Sequence, residues 1–115
     1  MMQEIFQRGP IACGVDSEPL HAYTGGIFCD ATGAITTDHI ILVVGWGEEN
    51  GSPYWVVRNS WGNYWGESGF LRLCRGVNNL GIEAGACSWA TPLDTWTDQV
   101  WHETTVTEED DPAND

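Results

Sequence analysis

A histidine and an asparagine, His39 and Asn59, stand at the outer ends of two short apolar runs joined by one turn. His39 opens Ile40-Ile41-Leu42-Val43-Val44, and Asn59 follows Tyr54-Trp55-Val56-Val57-Arg58. An imidazole that moves protons near neutral pH needs a partner on its second ring nitrogen to set tautomer and orientation. A carboxamide oxygen accepts that hydrogen bond without taking the proton. Such a pair can activate or protonate a neighbouring group, but the attack itself requires a nucleophile.

The flanking segments explain how the two side chains meet. Both runs are β-branched or aromatic and bounded by glycine, which predicts strands over 40–44 and 54–57. Glu49-Asn50-Gly51-Ser52-Pro53 contains Asn-Gly, a strong hairpin signal. A hairpin sets the entry of one strand beside the exit of the other, so the imidazole and the carboxamide arrive side by side. Upstream, Met2 to Arg8 has helical composition and ends at Gly9-Pro10. Ile11 to Val15 reads as a strand, Glu18 to His21 as a short helical turn, Gly26-Ile27-Phe28 as a brief strand and 31–37 as a loop. Downstream, 63–69 reads as an irregular loop and Phe70-Leu71-Arg72-Leu73 as a half-buried strand, with Gly81-Ile82-Glu83 and 86–90 expected to close the sheet.

Around His39 and Asn59 the sequence resembles the papain-like cysteine peptidases (peptidase family C1), whose triad runs Cys, His, Asn along the chain. The run Asn59-Ser60-Trp61-Gly62 followed by Trp65-Gly66-Glu67 is specific to that family, and the resemblance extends over residues 3–92. It places His39 on the family's catalytic histidine, Asn59 on the asparagine that orients it, and Trp61 on the indole that shields their hydrogen bond. Gly9-Pro10-Ile11-Ala12-Cys13-Gly14 and Tyr23-Thr24-Gly25-Gly26-Ile27 are most similar to the cathepsin Z-like (cathepsin X-like) branch, which is lysosomal. The implied fold is α+β, with this chain forming mainly the β-rich right-hand subdomain. Gly14, Thr37 and Ile40 are implied to line the pocket for the substrate residue two before the scissile bond.

The family's nucleophile sits roughly 130 residues upstream of the histidine, in a Gly-Ser-Cys-Trp type motif. No such motif occurs here, and 38 residues precede His39. The resemblance therefore implies that the helical half, with its nucleophile, is a partner not contained in this chain. By itself the chain is expected not to hydrolyse peptides. A non-catalytic module that binds peptides or an inhibitor is the alternative; a transglutaminase-like Cys-His-Asn fold would not carry the Asn-Ser-Trp-Gly loop.

Composition narrows the partners. The 115 residues carry a net charge of −13 and no lysine, which excludes nucleic acid and an anionic membrane surface. Eight of the 17 carboxylates lie in 91–115, so 1–92 is read as the β-rich half and 93–115 as an acidic, disordered tail. Seven tryptophans, fourteen glycines and 42% hydrophobic residues suit a compact, turn-rich unit. The start lacks a basic and then apolar leader; localisation, lysosomal or secreted, rests on the resemblance. The expected ligand is a peptide or protein substrate, with no cofactor.

No Cys-x-x-Cys or His-x-x-x-His spacing supports a metal site. The resemblance implies a Cys13–Cys87 disulfide, whereas Cys29 and Cys74 either pair with each other or bond to the other half. Cys13 as nucleophile is disfavoured, because an apolar strand offers no cation to lower its thiol pKa. His21 and His102 are expected to be exposed and idle, and Glu67 to support the tryptophan-rich loop.

Overall fold

The computed structural model describes residues 1–85 and 87–89. Helix α1 (Met2–Arg8) ends at Gly9, whose φ of 92° is left-handed and stops the turn. Strands β1 (Ile11–Val15), β2 (Ile27–Phe28), β3 (His39–Glu49), β4 (Ser52–Arg58), β5 (Phe70–Cys74) and β6 (Cys87–Ser88) form one sheet in the order β2-β5-β4-β3-β1-β6. Only β2 and β5 run parallel; the other pairs are antiparallel. The tail boundary after residue 92 and the acidic segment 93–115 fall outside the described residues.

A period of two fixes which face is inside. Ile11, Cys13 and Val15 of β1, Ile41 and Val43 of β3, Trp55 and Val57 of β4, and Leu71 and Leu73 of β5 are all buried. Ile5 of α1, Leu20, Tyr23, Leu80 and Ile82 close over that face. Each such side chain contributes about 1.5–3 kcal/mol by leaving water. The opposite face is less covered: Ile40 is 61% exposed, and Ala12 and Leu42 are half-buried.

The hairpin is longer than the apolar runs suggest. The strand ends expected at Val44 and Tyr54 are overrun, and β3 and β4 meet at Glu49 opposite Ser52. Three features carry the pairing outward. A bulge between Val43 and Gly45 absorbs one residue and sets Trp46 opposite Trp55. Gly47 leaves room for Tyr54, whose hydroxyl would lie 2.5 Å from a Cβ at that position. Asn50 and Gly51 take φ values of 51° and 80°, the left-handed pair that a type I′ turn demands.

Gly81-Ile82-Glu83 does not join the sheet. Residues Asn79–Gly81 form a 3-10 turn, with Asn78 and Leu80 held at positive φ. The Glu83 carboxylate decides this conformation by accepting Trp55 Nε1–H at 3.0 Å, Gly76 N–H at 2.7 Å and Asn78 N–H at 2.6 Å. Those bonds satisfy a turn that no strand pairing could satisfy. Glu18–His21 forms a 3-10 turn that extends through Ala22.

Both cysteine pairs are closed, Cys13–Cys87 between β1 and β6 and Cys29–Cys74 beside the β2–β5 pair. The first spans 74 residues of sequence, and removing that constraint enlarges the unfolded ensemble. A Cys13→Ala/Cys87→Ala variant should lose about 2–5 kcal/mol in denaturant unfolding. An unchanged midpoint would show that the sheet alone holds β6.

Candidate active site

Backbone bonds place His39 before any side chain acts. It is the first residue of β3, paired in register with Val15. The preceding Asp38 is tied at both ends: its N–H donates to Val15 O at 3.1 Å, and its carboxylate accepts Ser17 N–H at 2.9 Å. That hydrogen bond holds the Asp38 carboxyl below the usual carboxylate range. One residue away, buried Asp16 accepts Thr36 N–H at 2.9 Å and Glu18 N–H at 3.1 Å. The approach to His39 is thus pinned by two aspartates to the end of β1.

Asn59 immediately follows β4 and is buried. Its N–H donates to Gly69 O at 3.1 Å, so the chain leaves the β3 ladder here and enters the loop 60–69. The Asn59 side chain then meets His39: His39 Nε2 and Asn59 Oδ1 lie 2.8 Å apart. The same Oδ1 accepts Ser60 N–H at 2.8 Å. A backbone N–H can only donate, so that atom is the amide oxygen and the orientation of the carboxamide follows. Because an amide oxygen can only accept, Nε2 must carry the proton. In the neutral ring Nδ1 then has the lone pair and is the nitrogen that can take a proton from an acid. Asn59 Nδ2 is buried and has no partner among the described residues.

Aromatic rings pack against His39. Trp61 stacks on His39 with centroids 5.1 Å apart, and Trp65 meets Trp61 edge to face at 5.3 Å. Excluding water from a hydrogen bond strengthens it and holds the ring in place. Trp65 is anchored in turn by Nε1–H donating to Leu20 O at 3.0 Å, and it packs against buried Tyr23. Burial pushes the Tyr23 phenol up, and its hydroxyl donates to Gly26 O at 2.6 Å. Sequence reasoning named Trp65 as part of the Trp65-Gly66-Glu67 motif but missed its anchoring to Leu20 and the supporting place of Tyr23.

Glu67 supports the loop, as expected. It receives Arg72 through two bonds, Nε–H to Oε1 at 2.9 Å and Nη2–H to Oε2 at 3.0 Å, and accepts Gly26 N–H at 3.3 Å. The Arg72 bonds, above all, hold the Glu67 carboxyl below its ordinary value. At Gly66, φ is 59° and a Cβ would lie 2.6 Å from Phe70 O, so the loop is closed around a bare backbone.

Of the residues expected to line a substrate pocket, Gly14 and Ile40 are cross-strand partners. Thr37 is exposed in the loop before β3. A groove of about 420 Å³ runs along Ile40, Leu42, Arg58, Asn59 and Ser60. His21, expected to be idle, lies against Trp61 at 4.7 Å. Among the described residues, no cluster of three or more His, Cys, Asp or Glu is placed to hold a metal, and no helix is long and apolar enough to cross a membrane.

Residues 1–90 match the family model described as papain family cysteine protease. Cathepsin B-like cysteine proteinase 3 of Ostertagia ostertagi is 40% identical over 84 residues, covering 72% of this chain and 48% of that protein. Cathepsin Z of Onchocerca volvulus is 43% identical over 103 residues, 81% of this chain and 33% of that protein. Among solved structures, digestive procathepsin L 3 of the Tenebrio molitor larval midgut superposes with a TM-score of 0.68 at 46% identity, over 75% of this chain and 29% of that one. The chain therefore spans a half or less of each of these relatives.

The Glu67–Arg72 clamp predicts a pH dependence with a defined sign. A carboxylate whose folded pKa is depressed stabilises the fold above its unfolded value near 4.3, and that contribution is lost as pH falls below it. Glu67→Gln should cost about 1 kcal/mol at neutral pH. In thermal melts the gap to the parent chain should narrow steadily on acidification below pH ~5. A gap that is constant with pH would show that the carboxylate's charge contributes nothing.

Proposed function

Since this chain belongs to the papain family of cysteine proteases, we propose that it supplies the histidine–asparagine side of a Cys-His-Asn triad for peptide hydrolysis. The family and its β-rich right-hand subdomain are shown by the profile match and the superposition. The reading of the site rests on one observation: His39 Nε2 bonded to Asn59 Oδ1 at 2.8 Å beneath Trp61. In that arrangement Nδ1 is the working nitrogen. It takes the proton of a thiol, and the thiolate attacks the scissile carbonyl. His39 then protonates the leaving amine at Nδ1 and finally removes a proton from the water that releases the acyl group. Asn59 keeps the ring in the tautomer that all these steps need.

The chain's own cysteines support placing the nucleophile outside these 115 residues. All four are committed to disulfides, so none offers the thiolate. The partner in this proposal is the helical half of a papain-like domain, seated on the groove beside Ile40, Leu42 and Asn59. A peptide substrate would lie between the halves, with Gly14, Thr37 and Ile40 near its residue two before the scissile bond. Two disulfides accord with an oxidising compartment, the lysosomal or secretory route. A place near the cathepsin Z-like branch accords with 43% identity to the Onchocerca volvulus protein over 103 residues.

Two measurements test the proposal. Alone, the chain should show no thiol-dependent turnover of fluorogenic peptides. Joined behind the helical half of a cathepsin Z-like relative, it should complete an active peptidase. In that chimera His39→Ala should lower kcat by about 10²–10⁴ and Asn59→Ala by distinctly less, because a ring packed under Trp61 retains part of its orientation. Full activity of a well-folded His39→Ala chimera would refute the assignment.

A further inference from the structure

Trp61 carries two imidazoles. Besides His39, it stacks with His21 at 4.7 Å between centroids and 14° between planes, a closer and more nearly parallel contact than the 5.1 Å and 26° of His39. His21 is an exposed side chain, and an exposed ring with free rotamers would gain nothing from order unless something held it. The backbone beneath it is fixed. The 3-10 turn Glu18–Ala22 buries Leu20 completely, and Tyr23, three residues on, is buried as well. In a 3-10 turn, positions i and i+3 lie above one another, so Leu20 and Tyr23 share the inward side. Leu20 N–H donates to Ser17 O at 3.0 Å, and Leu20 O accepts both Tyr23 N–H at 3.1 Å and Trp65 Nε1–H at 3.0 Å. His21 therefore reaches Trp61 from an anchored residue, in the same loop cluster that positions Trp65.

The consequence for Trp61 is steric and aromatic. Its indole is half-buried, and the loop that carries it, 60–69, contains Gly62, Gly66 and Gly69 at positive φ. Trp65 touches it edge to face, with the two planes 83° apart. A flat ring stacked on the indole adds a restraint on its face. We propose that His21 is a positioning residue for the His39–Asn59 pair, holding the Trp61 indole over their hydrogen bond and thereby keeping the proton on His39 Nε2. The proposal deepens the reading of His39 as the triad base and rests on it for its bearing on catalysis, but the physical claim concerns the tautomer of one ring.

That claim is measurable on the chain as it stands. Two-bond proton–nitrogen NMR spectra of the uniformly labelled chain distinguish Nε2–H from Nδ1–H imidazoles, and His39 in the parent chain should be in the Nε2–H form. His21→Ala should raise the Nδ1–H fraction of neutral His39 about threefold, the factor that one aromatic pair carries. His21→Phe, which keeps a stacked ring and removes its nitrogens, should restore the parent ratio. Amide exchange in β3 and β4 should stay unchanged in both variants, since His21 is an exposed residue of the 3-10 turn and not part of either strand. An unchanged His39 tautomer in His21→Ala would overturn the proposal, as would failure of His21→Phe to restore it or a general loss of strand protection. The readout is independent of the triad: a His39→Ala chimera that stayed active would refute the catalytic assignment and leave this result standing.

Discussion

One oxygen atom organises the site. Asn59 Oδ1 accepts two donors at 2.8 Å, the following residue's N–H and His39 Nε2. The first donor is covalently bound to the same residue, so the carboxamide cannot flip without losing a backbone bond. The second partner must then be a donor, so His39 keeps its proton on Nε2 for as long as its ring stays within reach of that oxygen. Everything nearby serves to hold that oxygen where both donors reach it. The Asn59 N–H is tied to Gly69, the strand before it is locked between β3 and β5, and an indole stacks on the His39 ring.

Such a site has to be held from the flanks, because its own loop is rich in glycine. Two carboxylates, Asp16 and Asp38, bind the segment 36–38 to the end of β1. A third, Glu67, ties the tryptophan-rich loop to Arg72 of β5 and to Gly26. Each accepts backbone or guanidinium donors, so its negative charge is balanced locally. The acidic composition of the chain is thus partly a record of loop anchoring. It also leaves little positive charge to attract polyanions.

The cysteines show a division of labour. Cys13, buried in β1, and half-buried Cys87 are paired and contribute to stability by limiting the unfolded chain. The same chemistry removes them as nucleophiles, since a disulfide sulfur has no thiolate to offer. The chain thus carries an imidazole oriented by a carboxamide, while all four of its cysteines are held in disulfides. The groove beside Ile40 and Asn59 is correspondingly open along a face where Ile40 is 61% exposed.

The juxtaposition of His39 with Asn59 was legible in the sequence because it depends on one local device. Asn50-Gly51 favours a two-residue hairpin turn by its local backbone preference, and the two apolar runs that flank it have strand composition, which brings their outer ends together. The alternation of Phe70-Leu71-Arg72-Leu73 and the helical composition of Met2 to Arg8 were equally readable, since each reflects a short-range period. Other features had no local signal. The hairpin's extension past Gly45 and Gly47 depends on a bulge and on Tyr54 lying across a missing Cβ. The turn at Asn79–Gly81 replaced an expected strand because the Glu83 carboxylate gathers donors from Trp55, Gly76 and Asn78. The contact of His21 with Trp61 joins residues forty positions apart through Leu20 and Trp65, and nothing near His21 distinguishes it from a solvent-facing histidine. Sequence determined what short-range turn and strand preferences could enforce; tertiary structure decided wherever a side chain's partner was set by packing between distant segments.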